Sequence, residues 1–153
     1  MRVLILGANG MFGSMVARVL SQSVGLEVEQ TVRASAKTHG GMADVQTYTL
    51  DVLDEPALIK ALATSKPDVV INCTGLIKQQ ADASDALAIF PINGLFPHKL
   101  ARLCAPLDIR VIQFSTDCIF SGQDGNYADD AGCDVQDYYG MSKRIGEISD
   151  MDN

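Results

Sequence analysis

Apolar and polar positions alternate along this chain in two rhythms. Residues 2–6, RVLIL, form a continuous apolar run of strand length, the pattern of a strand buried on both faces. After GANGMFG, the segment SMVARVLSQ places Met15, Val16, Val19 and Leu20 at helical spacing. LEVEQTVR (26–33) alternates and predicts a second strand, GGMADV a loop, and QTYTLDV a short third strand ending at Asp51. EPALIKALATS predicts a helix, with Pro56 in its first turn. KPDVVINCTG (66–75) predicts another buried strand, and a long helical region follows over 82–105, broken between Pro91 and Pro97. IRVIQFST (109–116) predicts a fifth strand, and residues 121–137 an acidic, glycine-containing loop. A short helix carrying DYYGMSKRIGE closes the pattern.

Strands and helices alternate five times, which argues for an α/β fold with a parallel sheet covered on both faces. No internal repeat or linker interrupts it, so residues 1–153 are expected to form one domain. Composition agrees: 47% of residues are hydrophobic and only 20% charged, as in a globular chain. The net charge of −7 argues against a nucleic-acid or anionic-membrane partner. No apolar run reaches the roughly 20 residues of a membrane helix. Cys73, Cys104, Cys118 and Cys133 are widely spaced, with no C-x-x-C, which argues against a metal site and for free thiols in a reducing cytoplasm.

Gly7, Gly10 and Gly13 form G-x-x-G-x-x-G between the first strand and the first helix. A phosphate approaches the backbone closely at such a loop, and N–H groups at the helix start can bind a pyrophosphate. Asn9, Met11 and Phe12 belong to the same candidate cofactor site. About 20 residues on, many NAD enzymes carry an acid for the ribose 2′-hydroxyl. Here TVRASAK offers Arg33, with Lys37 nearby and no acid between. A guanidinium suits a 2′-phosphate, so NADP(H) is the expected cofactor, with NAD(H) the alternative.

Tyr139 and Lys143 lie four apart and share one face of a helix. A free phenol ionises near pH ~10, and an adjacent ammonium favours the phenolate. Such a tyrosine can give a proton to an oxygen that gains charge as hydride reaches a carbonyl. Ser115 and Thr116 end the fifth strand, where ligands of open parallel sheets bind. Thr116 is the preferred hydroxyl for a substrate carbonyl and Ser115 the fallback; a strand-end hydroxyl capping the next turn is the plainer alternative.

The glycine spacing resembles that of the extended short-chain dehydrogenase/reductase superfamily. STDCIFSG followed by YYGMSKRIGE, with PDVVINCTG and INGLFPHKLA, resembles the dTDP-4-dehydrorhamnose reductase family across essentially the whole chain. The resemblance implies a Rossmann-type doubly wound parallel sheet in strand order 3-2-1-4-5. It also implies reduction of a 4-keto nucleotide sugar, with Thr116, Tyr139 and Lys143 catalytic and Lys143 also on the cofactor ribose. By the same resemblance Asp51 and Val52 meet the adenine, and Cys73, Thr74 and Gly75 pass behind the nicotinamide-side ribose. Asn93 and Tyr139 are carried over to the cofactor site in the same way. His39 and His98 are expected to be surface or structural.

Family members are about twice as long, with a sugar-nucleotide-binding portion after the tyrosine helix. These residues are therefore expected to be a cofactor half that is inactive alone. The alternatives are an epimerase or dehydratase of the same branch, or a regulatory partner like the regulatory subunit of methionine adenosyltransferase. A homodimer through helices 82–105 and 138–149 is also expected from the resemblance.

Overall fold

The computed structural model describes residues 1–33, 45–128 and 130–148. Its centre is a parallel sheet of five strands in the order β3-β2-β1-β4-β5. These are β1 (Arg2–Leu6), β2 (Glu27–Val32), β3 (Gln46–Thr49), β4 (Val69–Asn72) and β5 (Arg110–Gln113). Helix α1 (Met11–Ser21) follows β1, α2 (Glu55–Ser65) follows β3, and α5 (Tyr138–Ile145) follows β5.

Residues of β1 point alternately to two cores, as the two-residue period of a strand requires. Leu4 and Leu6 join Val70, Val111, Leu58, Leu62, Phe96, Leu100 and Cys104 beneath α2 and α4 (Phe96–Cys104). Val3 and Ile5 join Val32, Val69, Ile71 and Ala17 beneath α1. The sheet is thus covered on both faces, which is why β1 and β4 read as unbroken apolar runs. On α1 only part of the predicted stripe faces inward. Val16 and Leu20 pack on the core, while Met15 and Val19 are both more than half exposed.

Helix α2 starts and stops for local reasons. The Asp54 carboxylate accepts from Ala57 N at 3.2 Å, and Lys66 ends the helix in the left-handed region at φ 45°.

The predicted break in 82–105 is a change of helical type. A 3-10 turn (Ala81–Ser84) leads into α3 (Ala86–Ile89), then a π-helical turn (Phe90–Leu95), then α4. Phe96 N bonds Pro91 O, five residues back, in place of the four of an α-helix.

Candidate functional site

The carboxyl ends of β1, β4 and β5 converge on the glycine loop and the tyrosine helix. Gly7 has φ +80°, and a Cβ on it would lie 2.9 Å from Thr74 Cγ2 and 3.2 Å from Cys73 O. A Cβ on Gly13 would overlap the carbonyl oxygen of Gly7 and lie 3.1 Å from Cys73 Cβ. Only hydrogen fits at either place, so the loop folds tightly against the segment after β4.

Gly10 caps α1 without a side-chain bond, and the first-turn N–H groups of a helix have no acceptor within it. Positive dipole and free donors therefore coincide there, which is the chemistry a pyrophosphate needs. Met11 is 91% exposed, Phe12 half exposed and Asn9 partly buried beside the loop. A dinucleotide fits this cradle: its floor is bare backbone and its helix end is open.

Two buried polar groups not singled out from the sequence fix the glycine loop and the segment after β4. Thr31, 1% exposed in β2, accepts from Gly7 N through its hydroxyl at 3.2 Å and from Ala8 N through its carbonyl at 2.9 Å. Asn72, at the end of β4, accepts from Thr74 N at 3.1 Å and from Thr74 Oγ1 at 2.5 Å, and donates to Gln113 Oε1 at 2.7 Å. An asparagine closing an apolar strand was the available signal; the partners on other strands were not visible.

Arg33 follows β2 directly and is exposed at its carboxyl end. Lys37 and His39 lie outside the described residues. Asp51 and Val52 part company. Asp51 is exposed, and its carboxylate accepts from Leu53 N at 3.0 Å, so it makes the turn into α2. Val52 is 8% exposed and belongs to the core with Leu4 and Leu58.

Asn93 differs from expectation in the same way. It is 2% exposed within the π-helical turn, and its amide is occupied by protein groups. Oδ1 accepts from Leu76 N at 2.9 Å, while Nδ2 donates to Leu76 O at 2.9 Å and to Ser142 Oγ at 3.2 Å. Ser142, fully buried, donates in turn to Tyr139 O at 2.7 Å. Asn93 thus clamps the segment after β4 to the tyrosine helix and does not reach into the cofactor cradle with its side chain.

Helix α5 lies along the segment leaving β5. Lys143 Nζ donates to Phe114 O at 2.5 Å, leaving two of the three ammonium donors for other partners. Burial pushes the Lys143 ammonium below its ordinary value, against an opposing pull from Glu147. A Cβ on Gly140, beside Tyr139, would overlap the carbonyl oxygen of Cys118, so glycine lets the helix close onto this turn. The two strand-end hydroxyls have different duties. Ser115 Oγ donates to Glu147 Oε1 at 2.5 Å. Thr116 Oγ1 accepts from Cys118 N at 3.2 Å, capping the 3-10 turn Asp117–Ile119, and reaches Asp117 Oδ1 at 3.3 Å. The capping alternative is therefore realised for Thr116, while Ser115 is committed to the helix.

Asp137 caps α5 by accepting from Gly140 N at 2.9 Å, and also accepts from Lys78 Nζ at 2.8 Å. The hydrogen bond from Gly140 and the Lys78 ammonium hold this carboxyl below its usual range. Next to it opens a cleft of about 880 Å³ lined by Lys78, Asp117, Cys118, Phe120, Tyr127 and Asp137 among others. Phe120 and Tyr127 stack at 4.5 Å, and Asp134 holds Ser121 through both its N–H and its hydroxyl. His98, expected to be surface or structural, contacts Ile145 O at 2.6 Å through Nε2, at the far end of α5. All four cysteines are free, and burial pushes the thiols of Cys73 and Cys104 up to about 12.

Known proteins resemble this chain in sequence and fold. The chain is 32% identical over 148 residues to a dTDP-4-dehydrorhamnose reductase of Streptomyces griseus, covering 95% of this chain and 43% of that protein. It is 32% identical over 149 residues to a probable low-salt glycan biosynthesis reductase of Haloferax volcanii, covering 96% of this chain and 48% of the relative. Among solved structures, a hypothetical dTDP-4-dehydrorhamnose reductase from Sulfolobus tokodaii superposes with a TM-score of 0.79 at 30% identity. That match covers 95% of this chain and 50% of the other. The chain thus spans about half the length of the relatives it matches. The family model described as the RmlD substrate binding domain matches residues 1–150, and the chain belongs to that family.

Proposed function

We propose that these residues are the cofactor-binding and proton-donating part of an oxidoreductase that reduces the 4-keto group of a nucleotide sugar with NADPH. The observation that carries this reading is the seating of α5 on the Phe114–Cys118 segment. Lys143 holds Phe114 O and Gly140 abuts Cys118 O, which supports a Tyr139 placed beside the segment that carries Thr116. A nicotinamide dinucleotide on the glycine loop supplies the hydride. Tyr139 donates the proton to the carbonyl oxygen, and Thr116 hydrogen-bonds that oxygen. Lys143 places its charge beside the phenol and binds ribose hydroxyls with its remaining donors. Arg33, exposed at the end of β2, pairs with a 2′-phosphate.

The names of the relatives support the substrate class, and their greater length supports a further portion that closes the sugar site. The same reading includes a homodimer through the helices around 82–105 and α5, whose Leu87, Leu95, Tyr138 and Ile145 are exposed.

The test uses the protein carrying these residues at its full natural length. It should oxidise NADPH only when a 4-keto nucleotide sugar is present. Tyr139→Phe should lower kcat by about 100-fold or more at unchanged NADPH affinity, since a placed general acid contributes about 100-fold to 10,000-fold. Wild-type turnover in Tyr139→Phe rejects the assignment. Arg33→Ala should weaken NADPH binding and leave NADH binding alone, because only NADPH carries the 2′-phosphate. Equal losses for both cofactors would remove that role.

A further inference from the structure

Lys78 stands in the loop after β4, two residues beyond Leu76, whose N–H and C=O are both held by the Asn93 amide. Its Nζ lies 2.8 Å from Asp137 Oδ2. The other oxygen of the same carboxylate accepts from Gly140 N at 2.9 Å. One carboxylate therefore divides its two oxygens between the first turn of α5 and a cation on a distant loop. Tyr139 is the second residue inside that cap.

Both partners of the pair are about half exposed, at 54% and 44%. Surface ion pairs add little to stability, so overall folding strength does not account for this one. Geometry does. Helix α5 has only eight residues, and its cap decides where the first turn begins. The loop that carries Lys78 runs on from Cys73 and Thr74, the residues that crowd Gly13 and Gly7. One short segment thus touches the glycine loop at its start, the buried Asn93 clamp in its middle and the tyrosine cap at its end.

We propose that Lys78 is a positioning residue for Tyr139, acting through Asp137 to hold the first turn of α5 in register with the glycine loop. The role rests on the reading of Tyr139 as proton donor. The placement of the turn can be measured without it.

The experiment compares Lys78→Met and Lys78→Arg with the wild type. In the chain described here, amide exchange at Gly140 should be faster in Lys78→Met and return to the wild-type rate in Lys78→Arg, which can still bond Asp137. In the full-length protein, Lys78→Met should lower kcat about tenfold to about 100-fold, the scale of a small misplacement of a catalytic group, with cofactor KM unchanged. Lys78→Arg should recover most of that rate. Unchanged exchange at Gly140 overturns the proposal, as does wild-type kcat in Lys78→Met or an arginine variant as impaired as the methionine one. If the full-length protein reduces no 4-keto sugar, the reductase reading alone falls, and the exchange comparison decides for Lys78.

Discussion

The glycine loop and the tyrosine helix both lie by the carboxyl ends of the sheet's strands and are built by opposite means. The loop is shaped by missing side chains: Gly7 and Gly13 let backbone meet backbone, and no charged residue lies between them. The helix is held by polar side chains, with Asp137 at its start, Asn93 and Ser142 beneath it, and His98 at its end. The loop proposed to receive a phosphate leaves the first-turn N–H groups of α1 without acceptors in the helix. The helix proposed to aim a phenol has its ends and underside tied down. The first arrangement fails abruptly when an atom is added, and the second weakens in steps as bonds are removed.

The largest effect is expected at Gly13. Alanine there places a methyl group inside the carbonyl oxygen of Gly7, and neither backbone can move aside without shifting β1 or α1. Overpacking of this kind costs about 1–3 kcal/mol, and the loop distortion should abolish dinucleotide binding as well. Urea denaturation and an NADPH titration of Gly13→Ala check both. A variant that keeps its midpoint and binds NADPH would show that the loop yields more easily than its packing indicates.

A smaller loss is expected at Asn93. Alanine leaves Leu76 N and O without their side-chain partners and takes one bond from Ser142. Partners left unsatisfied cost about 1–3 kcal/mol, and this site, next to solvent at Leu76, should fall near the lower end. Asn93→Ala should therefore unfold at a lower urea midpoint than wild type but a higher one than Gly13→Ala. The reverse order would invert the contrast between loop and helix.

The sequence was most readable where structure follows from local spacing. The RVLIL and DVVIN runs place β1 and β4, the glycines place the loop, and EPALIKALATS with Pro56 places α2. It was least readable where a side chain finds its partner far along the chain. Asn93 and Ser142 are 49 residues apart, and Lys78 and Asp137 are 59 apart. Nothing in the local pattern of either partner announces the other. The π-helical turn was hidden for a related reason: prolines signal a break in an α-helix, but not that the bond register widens to five residues. The motif positions of Val52 and Asn93 likewise do not announce that Val52 packs in the core and that the Asn93 amide bonds Leu76 and Ser142. Asp137 could have been found, since an aspartate immediately before a helical run is a recognisable cap.

The smallest expected effect separates the two regions most cleanly, because only one of them titrates. Gly7 to Gly13 contain no ionisable side chain. On the helix side the carboxyls of Asp137 and Asp134 both lie below the ordinary 3.8. The backbone N–H of Gly140 leads for Asp137, and the hydroxyl of Ser121 leads for Asp134. A carboxyl whose folded value is depressed stabilises the fold fully above its unfolded value, and the contribution disappears as pH falls through the folded value. The Lys78 ammonium is raised above 10.5, chiefly by its hydrogen bond to Asp137, so its share is complete below that value and lost only as pH rises beyond it. The Asp137–Lys78 pair should then hold throughout the neutral range and part first in acid. Amide exchange followed from neutral to strongly acid solution, and corrected for the intrinsic dependence of exchange on pH, should show Gly140 and Ser121 losing protection. Ala8, bonded to the carbonyl of Thr31, should keep its protection until the whole domain unfolds. Simultaneous loss at Ala8 and Gly140 would mean that the loop and the helix are one cooperative unit, and that their different construction has no consequence for how they open.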